Sequence, residues 1–579
     1  MTEIVGIDLG TTNSLVAYLT PDGPQIIPNS LGEPLTPSVV GIDEQGHILV
    51  GRTARELQVV RPECCASLFK RLMGTEEKTR IMERTFSPEE LSSLVLRSLK
   101  QDAEAFLGHP VNRAVITVPA YFNDQQRKST ITAGKIAGFQ VDRIINEPTA
   151  AAMAYGFHES REQKLLFVFD LGGGTFDVSL VELFEGVLEV RASSGESFLG
   201  GEDFTRAIAA RILESQGLIF ERAELDHPRL VARLMQQCEK LKKNLSTADL
   251  VEIRIPNVQG EFDDDSLSIP ITREQFDGWS KTLLDRLAPP VRRVIGDAKV
   301  GRNDIDEVIL VGGATRMPSV VKYVTELLGK TPHSRRNPDH VVALGAAVLA
   351  GLIENNAAVE DLVVTDVSPF TLGVETTKEI GFDYKSGFYL PIIHRNTTIP
   401  TSMVQRVCTI LPNQPEVNVK IYQGESRRVE QNLFIGEFRV TGIPRGPAGQ
   451  PIDIRFTYDL NGVLEVQATI VQTGQTYTHV VTRFARGLSP SQINAAVSEM
   501  QKLKVSPREE ARNQFLLKRA ERLISELPFD LREQLEQLLD GFESALETRS
   551  PDEIRQYQEI LEEFFDRFDS GENYTDQYQ

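Results

Sequence analysis

Val168-Phe169-Asp170-Leu171-Gly172-Gly173-Gly174-Thr175-Phe176-Asp177 is the stretch on which the reading of this chain turns. The apolar run leading into it reads as a buried strand. It ends in an aspartate, three glycines and a threonine, and apolar alternation resumes at Val178, Leu180 and Val181. That is strand, tight turn, strand. Glycines in such a turn let backbone N–H groups approach a phosphate, because no Cβ stands in the way. Asp170 and Asp177 would face the same phosphates, which requires a cation between like charges. One such hairpin alone is more simply an ordinary glycine-rich turn.

The grammar occurs twice. Ile4-Val5-Gly6-Ile7-Asp8-Leu9-Gly10-Thr11-Thr12-Asn13-Ser14 again runs from apolar strand through Asp-Leu-Gly into a small polar turn, and an apolar strand follows. A repeat this far apart suggests a duplicated domain, whose two facing loops could hold one triphosphate between them. No G-x-x-x-x-G-K-[ST] loop occurs and no G-x-G-x-x-G follows a strand, so single-loop nucleotide folds are set aside.

Bulk properties narrow the class. The 579 residues are enough for about three or four domains of ~150 residues. With 62 basic and 82 acidic residues the net charge is −20, which argues against a nucleic-acid partner and is accounted for by solubility. The apolar run Val341–Ile353 is too short to span a bilayer, and no basic segment precedes an apolar run at the start, so neither membrane nor signal peptide is expected. The four cysteines form no C-x-x-C, and free thiols in a reducing cytoplasm are expected. The eight histidines show no metal-ligand spacing, and no G-x-S-x-G elbow appears.

Along the chain, residues 39–50 read as short strands. Leu68-Phe69-Lys70-Arg71-Leu72 places a basic pair in an apolar setting. Ser87-Pro88-Glu89-Glu90 is a helix start, and Leu91, Leu94, Val95 and Leu99 mark the buried face of that helix. A strand follows up to Val118-Pro119, then a helix over 123–137. Two segments of small residues, 146–156 and 342–348, would let helices cross closely at the base of a cleft. A third strand runs into the glycine turn Gly312-Gly313. Beyond Asp361 the helical signals stop. The next hundred or so residues read as all-β, with an Asn461-Gly462 hairpin turn. Helical period returns at Ser489, with capping boxes at Ser489, Ser506 and Ser550. The last helix should bury Ile554, Tyr557, Ile560 or Leu561, Phe564 and Phe565, and the tail after Asp569 reads as disordered.

At this point the chain resembles the DnaK-type seventy-kilodalton heat-shock chaperones over nearly its full length. The resemblance rests on the two glycine loops, Val118-Pro119-Ala120-Tyr121-Phe122, Ile145-Asn146-Glu147-Pro148-Thr149-Ala150-Ala151-Ala152 and Leu199-Gly200-Gly201-Glu202-Asp203-Phe204. Within the family it looks most like the HscC branch, given a shortened first half and a long β-domain loop ending in Arg395-Asn396-Thr397-Thr398. The resemblance implies several domains. Residues 1–358 would be an actin-like, duplicated α/β ATPase domain and 359–366 a linker. Residues 367–485 would be an all-β sandwich that binds peptides, and 486–579 a short α-helical lid with its tail.

The same resemblance implies ATP or ADP, Mg²⁺ and K⁺ as cofactors. Lys70, Glu147, Asp170 and Thr175 would be catalytic. Asp8, Asp170 and Asp177 would attend the metal. Gly10, Thr11, Thr12, Asn13, Gly172, Gly173, Gly174, Gly200 and Gly201 would hold the phosphates. Glu239, Lys242, Ser246, Gly312, Gly313, Arg316 and Asp339 would meet the adenosine. Pro119, Arg127, Leu362, Val363, Val364 and Asp366 would couple the domains, and Val374, Val407, Ile410, Val417 and Val419 would line the peptide groove. For Val407 and Val419, β-sandwich core is nearly as good a reading. Unfolded clients and a J-domain co-chaperone are the implied partners in the cytoplasm, with a stress-response role.

Three departures from the family stand out. The hairpin expected before the Ser87 helix reads as missing, which speaks against a GrpE-type exchange factor. The linker ends in Thr365 where an aliphatic residue is usual. Residues 378–391 read as a longer loop carrying Phe382, Tyr384, Phe388 and Tyr389. Two rivals share the ATPase fold: a small-molecule kinase, which leaves 367–485 without a role, and an actin-like filament protein, which the linker opposes.

Overall fold

The fold is described from a computed structural model. It describes residues 4–159, 163–184, 187–264, 266–354, 363–381, 383–399, 401–458, 464–481, 509–524, 527, 529–548 and 551–570. Leu362, the Asn461-Gly462 turn, the caps at Ser489, Ser506 and Ser550, and the end of the tail, 571–579, lie outside the described residues.

The two Asp-Leu-Gly stretches end equivalent strands of two sheets. In the first sheet the order is Gln140–Asn146, Arg113–Val118, Ile4–Asp8, Asn13–Thr20, Gly23–Ile27. Ile4–Asp8 runs parallel to Arg113–Val118 and antiparallel to Asn13–Thr20. In the second sheet Lys164–Leu171 runs parallel to Glu307–Val311 and antiparallel to Phe176–Phe184, which pairs in turn with Val187–Glu196. The topology is thus repeated, and each glycine loop is the turn between the first two antiparallel strands of its sheet. Both first strands are apolar and buried on both faces, as strands with parallel neighbours usually are.

Between the sheets lie the helices of small residues, Glu147–Glu159 and Val341–Ile353. They share one core with Ile4, Val115, Leu166 and Val168, so residues of both sheets meet there. Their approach depends on missing side chains. A Cβ built on Gly345 would lie 1.7 Å from the Ala150 carbonyl oxygen, and one on Gly6 2.2 Å from the Ala347 nitrogen. The Ser87 helix forms as its sequence dictates. Ser87 and Glu90 exchange capping hydrogen bonds, Pro88 occupies the first turn, and Gly108 ends the helix at φ 75°. A cap of this kind contributes about 1 kcal/mol.

The expectation that no hairpin precedes this helix is corrected. Thr79–Ile81 and Arg84–Phe86 form a short two-stranded hairpin there. Alternating exposed and buried residues over so few positions are too weak a pattern to read, and the argument against an exchange factor from its absence falls.

Residues 363–367 form a strand whose neighbours belong to different parts of the chain. Val363, Val364 and Thr365 pair in parallel with Val187, Leu188 and Glu189, and Asp366 and Val367 pair antiparallel with Ile399 and Thr398. Beyond it, two four-stranded sheets enclose one core containing Val374, Ile421, Ile454, Phe456 and Val466. The stretch 378–391, read as a loop, is instead most of a β-hairpin. Leu372–Ile380 pairs with Asp383–Ile393 through a turn at Gly381, which has φ 69°. Phe388 and Tyr389 are buried and Tyr384, toward the arm's outer end, is exposed, while Phe382 lies outside the described residues.

Toward the C-terminus, helices Glu509–Ile524, Phe529–Thr548 and Pro551–Ser570 share a core that includes Phe515, Leu516, Phe542, Leu561 and Phe565. Leu31, near the start of the chain, packs against it. The Arg52 guanidinium lies 5.3 Å from the Phe515 ring, and Arg522 pairs with Glu56 at 2.7 Å. These contacts set the first of the three helices on helix Arg52–Val60.

Candidate functional site

The two glycine loops face each other across a cleft. A Cβ on Gly173 would lie 2.3 Å from Thr12 Oγ1, and one on Gly174 2.4 Å from Thr11 Cγ2, so the loops meet closely because glycine stands on one side. The cleft is lined by Asp8, Gly10, Thr11, Thr12 and Asn13 from the first loop and by Asp170, Gly172, Gly173 and Thr175 from the second. Lys70, Glu147, Gly312, Gly313 and Asp339 complete it. Leu15, Leu35, Pro338 and Val342 also line it, and the sequence reading did not single them out. Leu15, Leu35 and Pro338 stand in ordinary strand and loop patterns with nothing local to mark them, while Val342 opens the small-residue segment 342–348.

Lys70 is 3% exposed and donates to Glu147 Oε1 at 2.7 Å. Its ammonium lies 5.6 Å from the centre of the Phe122 ring. Asp170 and Asp177 stand opposite each other in the strand pair, and Asp8 accepts a hydrogen bond from Thr117 Oγ1 at 3.1 Å. Asp177 accepts one from the Tyr121 backbone N–H at 3.0 Å. Burial, reinforced by Glu147, pushes Asp8 up to about 7 and Asp177 up to about 8. Burial also raises Asp170, with Glu147, Asp177 and Asp8 adding to the effect. So many buried carboxylates around one ammonium make a site short of positive charge, and a cation fits it. No group of three or more His, Cys, Asp and Glu side chains among the described residues has the arrangement to hold a bare ion.

The expected adenosine residues divide. Gly312, Gly313 and Asp339 reach the cleft. Lys242 is buried and donates to the Gly201 carbonyl at 2.7 Å and to Thr205 Oγ1 at 2.8 Å, bracing the first turn of helix Gly201–Ser215. Burial alone would raise Glu239, but Lys242 and Lys243 outweigh it and hold its carboxyl below the usual range. Ser246 makes a local bond to the Lys242 carbonyl, and Arg316 pairs with Asp339 at 2.8 Å. Gly200 packs behind the second loop, where a Cβ would lie 2.4 Å from the Gly174 nitrogen.

From the cleft a polar chain runs to the strand at 363–367. Arg127 donates to Asn146 Oδ1 at 2.6 Å, and Asn146 Nδ2 donates to Asp366 at 2.8 Å. Asn146 is the residue before Glu147, so the partner of Lys70 and the partner of Asp366 are neighbours in sequence. Pro119 accepts from the Phe122 N–H beside Arg127. Farther along the same seam Asp297 receives Arg395 at 3.0 and 3.1 Å and Asn396 at 2.8 Å. The sequence reading had missed Asn146 and Asp297 here. Asn146 lies inside a quoted motif, but Asp297 carries no local signal.

Of the expected groove residues, Val374 and Val419 are 1% and 2% exposed and belong to the sandwich core, whereas Val407, Ile410 and Val417 are partly exposed. Beside Val407, Met403 and Val404 are exposed on strand Thr401–Cys408, whose one neighbour in its sheet among the described residues is Pro451–Tyr458.

The Hsp70 protein family model matches residues 4–81 and 76–576. The chain belongs to the Hsp70 family. It is 38% identical to the chaperone protein DnaK of Thermotoga petrophila over 568 residues, covering 96% of this chain and 92% of the relative. It is 41% identical to the chaperone protein DnaK of Thermotoga neapolitana over 489 residues, covering 83% and 80%. The identity to that of Thermosipho melanesiensis is 37% over 579 residues, covering 96% and 95%. Membership makes the protein an ATP-hydrolysing chaperone that binds nucleotide and Mg²⁺ and acts on unfolded clients. No helix among the described residues is long and apolar enough to cross a membrane.

Proposed function

We propose that ATP binding and hydrolysis in the cleft drive release and capture of extended hydrophobic segments by the β-sandwich, in the manner of the HscC branch. The observation that carries this reading is the strand at 363–367, hydrogen-bonded on one side to the sheet that bears the second glycine loop and on the other to Thr398–Ile399. A single strand shared in this way gives the cleft and the peptide-binding part a mechanical connection.

In this reading residues 1–358 are the duplicated ATPase domain, 359–366 the linker, 367–485 the peptide-binding sandwich and 486–579 the lid. Thr11, Thr12 and Asn13 with Gly172, Gly173 and Gly174 cradle the phosphates. Lys70 and Thr175 address the γ-phosphate, and Glu147 and Asp170 position the attacking water. Asp8, Asp170 and Asp177 orient the hydrated cation, with K⁺ as a second ion. When bound, Mg²⁺ offsets phosphate charge, and the chain's share of the work is alignment and a fixed field of donors. Pro119, Arg127 and Asp366 couple the two parts, Val407, Ile410 and Val417 face the peptide, and a J-domain protein in the cytoplasm supplies stimulation.

Incubation with ATP and a hydrophobic peptide tests this. Peptide-stimulated phosphate release and ATP-driven peptide release are expected. Phosphorylation of a small molecule would favour the kinase rival, and a sedimentable polymer the filament rival.

A further inference from the structure

Arg71, the second member of the basic pair, has no part in the function as described so far. It lies on the short helix Phe69–Leu72, which presents consecutive side chains in three directions. Phe69 enters the core, Lys70 enters the cleft, and Arg71 crosses between the two halves of the duplicated region. The helix starts from Leu68 at φ 59°, a left-handed conformation that a branched residue adopts only when its surroundings hold it there.

Across the cleft Arg71 makes three bonds. Its Nε donates to the Gly174 carbonyl at 3.1 Å, and Nη1 and Nη2 donate to the two Asp203 oxygens at 3.2 and 2.5 Å. The guanidinium therefore uses its planar fork on a carboxylate and its remaining face on the second glycine loop. Asp203 is itself fixed, since it accepts from the Gly200 N–H at 2.8 Å and so closes the start of helix Gly201–Ser215. That turn is in turn bonded to the loop, through Gly201 N–H to the Gly172 carbonyl and Glu202 N–H to the Gly173 carbonyl, each 2.9 Å. Gly174 is wedged between Thr11 and Arg71, and a Cβ there would lie 2.9 Å from Arg71 Nε. The side chain is 13% exposed and that of Asp203 20%, so water screens the pair little.

We infer that Arg71 is a positioning residue for hydrolysis: by tying Gly174 and Asp203 to the helix that carries Lys70, it sets the distance between Lys70 and the second phosphate loop. The inference rests on the proposed reading of the cleft. Arg71 touches no reacting atom. It acts by making Lys70 and Thr175 members of one frame although they come from opposite halves. A misplacement of about 1 Å in such a frame can cost about a hundredfold in rate.

The test is single-turnover hydrolysis and ATP affinity in the full-length chain carrying Arg71→Lys, Arg71→Met or Asp203→Asn, with thermal unfolding recorded for each. Arg71→Lys keeps the charge but loses the fork. Its hydrolysis should fall about tenfold or more while ATP affinity and the unfolding midpoint stay near wild type, as expected for a group that matters in the transition state. Asp203→Asn keeps an oxygen for Gly200 and should fall less than Arg71→Met. In a Lys70→Ala background, Arg71→Lys should cause little further loss, because the two act through one alignment. Wild-type hydrolysis in both Arg71 variants, a loss explained by lower unfolding midpoints, or full additivity with Lys70→Ala would each overturn the inference. A wild-type chain that binds ATP without hydrolysing it would instead overturn the reading of the cleft.

Discussion

Lys70, from the short helix Phe69–Leu72, and Thr175, from the second glycine loop, both line the cleft, and in the proposed reading the charge that develops on a transferring phosphoryl group would lie between them. Interactions that strengthen in the transition state raise the rate of chemistry rather than binding. Thr175→Ala and Lys70→Ala should each slow hydrolysis about a hundredfold, equivalent to ~3 kcal/mol, and leave ATP binding largely intact. Single-turnover measurements beside equilibrium binding check this. Lys70→Ala carries an added cost, since it strands Glu147 among the buried acids. The cysteines separate by environment. Cys64, Cys65 and Cys238 are buried, with burial pushing their thiols up, while Cys408 is exposed. A maleimide should label Cys408 first in the native protein, and mass mapping of the peptide should find it there. The sequence indicated free thiols but could not rank them, because exposure depends on residues distant in the chain.

At the scale of elements, the parts legible in advance were those whose signals are local. The glycine loops, the Ser87 capping box and the small-residue helices each carry their instructions within about ten positions. The arm formed by Leu372–Ile380 and Asp383–Ile393 was hidden because its outer half is exposed on both faces and lacks an apolar alternation. Pairs such as Arg71 with Asp203 or Arg395 with Asp297 join side chains whose neighbourhood exists only after folding. The helix crossing gives the sharpest element-scale test. Gly345→Val would place methyl groups where the Ala150 carbonyl stands, so the helices Glu147–Glu159 and Val341–Ile353 must separate. Overpacking of a close crossing costs about 1–3 kcal/mol or more. A lower thermal midpoint and weaker ATP binding should appear together, because the first of these helices begins at Glu147 and the second includes Val342, both in the cleft wall. An unchanged midpoint would mean that the crossing relaxes at little cost.

For the whole molecule the question is how nucleotide and peptide influence each other, and the strand at 363–367 is where the two parts meet. It is joined to Val187, Leu188 and Glu189 by backbone pairing, and Asp366 accepts a hydrogen bond from Asn146. A strand this short is held by few hydrogen bonds to each of its neighbours, so it can detach as a unit. The sequence here is aliphatic at Leu362, Val363 and Val364, and aliphatic side chains left in water cost ~25 cal/mol per Å² of apolar area. Docking is therefore favourable enough to matter and weak enough to be reversed by a ligand that prefers the other state. Val363→Asp puts a charge and a poor strand former into the docked register, and should shift the strand toward the detached state. Basal ATP binding should survive, because no residue lining the cleft is altered. Stimulation of hydrolysis by peptide and loosening of peptide by ATP should be lost together, since coupling between two sites is reciprocal in free energy. Fluorescence anisotropy of a labelled peptide, with and without ATP, reads the second effect, and phosphate release reads the first. Retention of ATP-driven peptide release in this variant would mean that the coupling runs through the seam of Asp297 with Arg395 and Asn396, leaving the strand as a tether.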